Sequence, residues 1–130
     1  MDILDPPLFS DPEALPFIDS LDESGLDGLD IGVIGFDAQG VVRRYNAREA
    51  RFSGLRPQQV IGSHLFTEVA QCMNNFLVAQ RFEDAQRDRL ALDETLDYVL
   101  TWRMRPTKVQ LRLLWAPDAR LCYLLLRHSA

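Results

Sequence analysis

The sequence is poor in cysteine and histidine, and its first thirty residues hold no basic side chain at all. Two cysteines, Cys72 and Cys122, cannot build a disulfide framework and lack metal-ligand spacing, which suits a reducing compartment and predicts a cytoplasmic address. Of the two histidines, His64 falls in a short predicted helix and His128 is third from last, so neither is placed as the base of a hydrolytic triad. Both are expected on the surface. No GxGxxG or GxxxxGK[ST] occurs, and the glycines from Gly25 to Gly40 run into a strand, which excludes a phosphate cradle. No apolar run approaches the roughly 18 to 20 residues of a membrane span, and no basic stretch precedes an apolar leader. Basic residues number 14 against 19 acids, and the net charge of −5 argues against a nucleic-acid partner. Carboxylates such as Glu83 and Asp84 share a polar helical face and read as solvated. An enzyme has little to stand on.

What is present is enough apolar material for a core. Among 130 residues, 47% are apolar and twelve are aromatic, which fits one compact domain with an appendage. The appendage is acidic. Residues 1–30 carry nine acids and a charge of −9, leaving +4 on the remaining hundred, so the lead can lie against a basic body. Ser10 with Glu13 resembles a capping box for a helix near Asp11 to Leu21, whose Leu15, Phe17, Ile18 and Leu21 either dock or belong to a frayed acidic tail. The division predicted is a cap over 1–27 and a core over 28–130.

The core reads as strand, turn, strand, helices, then three strands. Ile31 to Phe36 and Val41 to Tyr45 flank the turn Asp37-Ala38-Gln39-Gly40. Asn46 with Glu49 opens a helix that Gly54 closes, and Pro57 suits a second ending near Gly62. Ser63 can cap a third through Val69 or Ala70, and Asn74 or Asn75 a longer one through about Arg89, striped by Val78, Phe82 and Ala85. Leu96, Tyr98, Leu100, Trp102 and Met104 alternate with polar partners as the clearest strand, Val109 to Trp115 follows the Pro106 turn, and Leu121 to Leu126 is an apolar run suited to a central strand. The fold class predicted is α+β: an antiparallel sheet of about five strands with helices on one face and an N-terminal helical cap.

Three side chains have chemical potential. Cys72 lies between two predicted helices, where a helix N-terminus would favour a thiolate able to accept an acyl group; alternatively it is a small buried hydrophobe, as Cys122 looks to be. Tyr45 and Glu49 stand four residues apart across a strand-to-helix junction and can reach one pocket. Among apolar groups Glu49 would keep its proton; in water it would simply cap a helix.

The segments Leu26-Asp27-Gly28-Leu29, Tyr45-Asn46-Ala47-Arg48-Glu49, Ser53-Gly54, Pro57-Gln58-Gln59-Val60-Ile61-Gly62, Val69-Ala70-Gln71-Cys72 and Met104-Arg105-Pro106-Thr107-Lys108-Val109 resemble the photoactive yellow protein family. The resemblance runs from about Gly25 to Arg127, with a short insertion before the third strand. It implies a PAS fold and blue-light sensing by a p-coumaroyl (4-hydroxycinnamoyl) group held as a thioester, here on Cys72. It further implies that Tyr45 and a protonated Glu49 donate hydrogen bonds to the chromophore's phenolate, that Ser53 supports the tyrosine where the family has threonine, and that Met104 matches a methionine linked to thermal recovery. Light-driven trans-to-cis turning would then draw the Glu49 proton and loosen the N-terminal segment. Departures are Leu55 where the family has a shielding arginine, with Arg56 one step on, Gln71 for a proline, Met73 for a small polar residue and Trp102 for a tyrosine. The expected partners are the covalent chromophore and a downstream signalling protein, with a monomer or weak dimer. The alternative is a PAS interaction module or small-ligand sensor without the chromophore; haem is disfavoured by the placing of the histidines.

Overall fold

The computed structural model describes residues 8–101 and 106–128. After a 3-10 turn at Leu8–Ser10 come α1 (Ala14–Ser20), α2 (Glu23–Asp27), β1 (Gly32–Phe36), β2 (Val42–Tyr45), α3 (Ala47–Ser53) and α4 (Pro57–Val60). A π-type turn (Leu65–Val69), a 3-10 turn (Gln71–Met73), α5 (Ala79–Asp88), β3 (Leu92–Leu100), β4 (Thr107–Trp115) and β5 (Cys122–His128) complete it. The strands form one antiparallel sheet in the order β2-β1-β5-β4-β3. β5 is central, which explains its unbroken apolar run: a strand covered on both faces has no polar side to alternate with.

The two faces of β5 serve two cores. Leu124 and Leu126 pack with Ile34, Leu111 and Leu113 beneath the helices that follow β2, whereas Tyr123 and Leu125 pack with Val33 and Leu114 beneath the N-terminal segment. That segment contributes Phe9, Ala14, Ile18 and Leu26, all buried. At roughly 25 cal/mol per Å² of apolar surface removed from water, four such side chains hold a short cap that its own helices could not sustain. Thus the docked alternative holds for the described part of the lead.

Basic residues of the sheet fasten its carbonyls. Arg44 donates to Ile18 O, Leu21 O and the Tyr123 hydroxyl and pairs with Glu23, while Arg112 donates to Phe9 O, Asp11 O and Asp93. Arg120 pairs with Asp19, and Arg127 lies over the Phe9 ring. The acidic lead therefore meets the basic body through specific groups as well as through net charge.

Several sequence expectations are corrected. Ser10 belongs to the 3-10 turn and does not cap α1, whose N-cap is Glu13; the Glu13 N–H donates to Asp11 Oδ1 instead. His64 replaces Ser63 as the cap, its Nδ1 accepting from Phe66 N and Thr67 N, and the following turn is π-type because Val69 and Ala70 reach back five residues. Asn75 does accept from Leu77 N and Val78 N, yet it caps a turn, and α5 proper starts at Ala79. β3 starts at Leu92, four residues before the predicted Leu96: acidic Asp93 and Glu94 obscure its alternation, and full pairing with β4 draws them into the ladder. Leu96, Tyr98 and Leu100 face the core as expected, while Trp102 and Met104 lie outside the described residues.

Candidate functional site

Asn46 builds the site's frame. Its side chain is buried and fully used: Oδ1 accepts from Val33 N and Glu49 N, and Nδ2 donates to Leu26 O and Ile31 O. One residue thereby joins β1, the start of α3 and the N-terminal cap. Gly54 closes α3 with φ 81°, the left-handed conformation that glycine adopts without strain. Between these stops, Glu49 at the third helical position and Ser53 one turn later point inward, since residues four apart share a helix face.

Glu49 is fully buried. Neither carboxyl oxygen has a hydrogen-bond partner among the described residues, and burial pushes its pKa up to about 8. The capping-carboxylate alternative therefore fails, because at neutral pH this group is an acid holding its proton. Its close seat against β1 suits Gly32, since a Cβ there would run into the Glu49 carboxyl group.

Tyr45, at the end of β2, is also buried, and its hydroxyl lies 2.8 Å from Ser53 Oγ. Burial first and Glu49 second push the phenol above its ordinary value, with the Ser53 hydrogen bond opposing them. Ser53 Oγ also accepts from Leu55 N. Leu55 is half-buried against the main core, and Arg56 is exposed.

Cys72 is half-buried in the 3-10 turn Gln71–Met73 and packs on the same cluster as Tyr45 and Leu55. The helix N-terminus expected next to it is absent, since α5 begins seven residues later, at Ala79. Hydrogen bonds hold the turn instead. The Cys72 carbonyl accepts from the Tyr98 hydroxyl at 2.5 Å and from Asn75 Nδ2 at 3.2 Å, and the Asn75 amide donates to the same hydroxyl at 2.7 Å. Cys122 is fully buried in β5, its thiol pushed up to about 12 by burial, as an inert hydrophobe should be.

The structure brings Tyr45, Glu49 and Ser53 together and seats Leu55 and Cys72 on the same core; Met104 lies outside the described residues. It also corrects the reading of His128 as a surface residue. That ring stacks on Phe52, and its Nε2 lies 3.9 Å from Glu49 Oε1, because β5 runs on beyond Leu126 past the start of α3. Sequence reasoning missed His128 because its final strand stopped two residues short, and it missed Tyr98 as a hydrogen-bonding residue because alternation reports only the face. The arrangement can hold one protonated acid and one phenol against an anionic guest oxygen, with a thiol available for attachment.

Comparison with known proteins agrees with the geometry. The PAS fold family model matches residues 20–117. The chain is 33% identical over 97 residues to photoactive yellow protein from Halochromatium salexigens, covering 72% of this chain and 74% of that one. To photoactive yellow protein from Rhodothalassium salexigens it is 32% identical over 91 residues, covering 70% and 72%. Among solved structures, the photoactive yellow protein domain of the sensor histidine kinase Ppr from Rhodospirillum centenum superposes with a TM-score of 0.79 at 37% identity, covering 86% of this chain and 97% of that one.

Proposed function

The chain belongs to the photoactive yellow protein family of PAS domains, and from that we propose that it is a blue-light sensor carrying a p-coumaroyl thioester on Cys72. The observation that carries the reading is the pair of fully buried Glu49 oxygens, without a partner among the described residues, beside the Tyr45 phenol. Buried polar atoms are ordinarily satisfied, so an orphaned acid in a core points to a guest that completes it. The residues present fit the group: Cys72 would hold it, and Tyr45 and Glu49 would donate to its oxygen.

When bound, that group supplies blue absorption and a double bond that light turns from trans to cis. The chain does the rest. Tyr45 and Glu49 favour an anionic oxygen in a dry pocket by donating to it, Ser53 orients the phenol, and the clamp of Tyr98 and Asn75 fixes the turn bearing the sulfur. When the acceptor in the pocket draws the Glu49 proton, a carboxylate is left in low dielectric. An uncompensated buried charge costs several kcal/mol, comparable to a domain's margin of roughly 5 to 15 kcal/mol. The relief is partial opening, with the N-terminal cap as the segment released. The signal is a change of shape read by a downstream protein, not a reaction catalysed; the related domain from a sensor histidine kinase supports an output of that kind.

The test is expression with an activated p-coumaroyl donor. A blue absorption band and a covalent mass increase, both lost in Cys72→Ala, are expected. A protein that gains neither is a PAS module working without the chromophore.

A further inference from the structure

Glu49 faces a second ionisable group. The His128 ring stands at the end of β5 with Nε2 3.9 Å from Glu49 Oε1, and both of its ring nitrogens are buried without a hydrogen-bond partner among the described residues. Two unsatisfied polar groups aimed at one another across a gap too long for a hydrogen bond form a pair waiting for a charge. From α3, Arg48 bears on the ring and disfavours its protonation; from β2, Tyr45 couples to Glu49. On β4, the residue paired with His128 is the apolar Val109, with Lys108 beside it paired to Val99. The His128 side chain is 17% exposed, though not through its two nitrogens.

We propose that His128 is the counter-group of Glu49: once Glu49 has given up its proton and the pocket has loosened, His128 takes a proton from water and becomes the imidazolium that answers the carboxylate left behind. The inference rests on the photochemistry proposed above, since light is what removes the Glu49 proton. Two separate protons move. The Glu49 O–H bond breaks and its proton passes to the acceptor in the pocket; a new N–H bond forms on His128 from a bulk proton, so the solvent loses one.

Burial explains why the pair is silent in the dark. It holds Glu49 up to about 8 and His128 down to about 4, reversing their ordinary order, so near neutrality an acid faces a neutral ring. A carboxylate at 3.9 Å in a poorly screened interior changes that balance, because an adjacent opposite charge favours the imidazolium over both burial and Arg48.

The experiment uses the full chain loaded with the p-coumaroyl group and labelled with nitrogen-15 at histidine, kept at about pH 6, within the range where an imidazolium can form. Three quantities are followed under blue light: the infrared band of the Glu49 acid, the His128 ring nitrogens, and the pH of a weakly buffered solution. The expected result is loss of the acid band, conversion of His128 to imidazolium and uptake of about one proton per converted molecule. The His64 ring, the chain's other histidine, supplies the internal reference signal. In His128→Gln the uptake disappears; should that variant misfold, the labelled wild-type ring still decides. Loss of the acid band with His128 remaining neutral, or uptake unchanged in His128→Gln, overturns the inference and leaves the proposed function standing. An acid band that persists under light overturns both.

Discussion

Arg44 and Tyr123 are hydrogen-bonded at 2.8 Å beneath the N-terminal helices, and the same guanidinium donates to the carbonyls of Ile18 and Leu21. A sheet residue thus closes the end of α1 directly. Replacing Arg44 by methionine removes every one of those donors from a buried place. We expect a stability loss of about 2 to 4 kcal/mol and faster hydrogen exchange over residues 14–28, with the exchange of β4 changed less. Uniform exchange across cap and sheet would contradict this.

Asn46→Ala should be at least as damaging. It removes a helix cap and strands the Val33 N–H and the Ile31 carbonyl in the interior, while the Leu26 carbonyl keeps its bond from Leu29 N. The expected cost is about 3 kcal/mol in chemical denaturation, more than an exposed cap loses. A loss under 1 kcal/mol would mean that other groups take over those bonds.

The stability profile against pH should carry an unusual shape. Glu49 holds its proton up to about 8 when folded and only to 4.5 when unfolded, so the folded state binds more protons in between and stability falls as pH rises through that window. His128 is held down to about 4 from 6.5, so there the unfolded state binds more protons and stability is lost as pH falls from 6.5 toward 4. The two slopes cancel from roughly pH 4.5 to 6.5. We therefore expect a plateau there and a decline from 6.5 to 8, observed in the protein without chromophore. Glu49→Gln should abolish the decline and add on the order of 3 kcal/mol at pH 8. A wild-type curve that is flat from 6.5 to 8 would refute the assignment.

Tyr98→Phe frees one donor from the Cys72 carbonyl while leaving Asn75 in place. A cost of about 1 kcal/mol and several-fold faster labelling of the Cys72 thiol are expected. Cys122, fully buried, is the unreactive reference.

Leu55 is half-buried against the main core, and in the proposed reading it flanks the chromophore. Leu55→Arg in the loaded protein should shift the dark absorption band and alter recovery after a flash. An unchanged spectrum together with unchanged recovery would show that this position does not govern access to the pocket.

Much of this was readable in the residues themselves. The caps Asn46 and Gly54, the turn at Asp37 to Gly40 and the apolar run of β5 are local signals, and local signals fix local structure. Tyr45, Ser53 and Glu49 could be placed near one another because a strand end and one helical turn carry all three. What sequence could not show was long-range. Nothing local says that the last strand reaches His128, that Tyr98 turns its hydroxyl to a turn 26 residues earlier, or that Arg112 reaches the carbonyls of Phe9 and Asp11. Each is set by sheet order, and a one-residue slip would reverse every face.

Because consecutive residues of β5 look to opposite sides, Tyr123 touches the lid while Leu124, its immediate neighbour, touches the compartment beneath α3. A peptide unit joins the two. The strand is shared furniture: it cannot tilt or slide to accommodate trouble on the Glu49 side without disturbing the upholstery on the other.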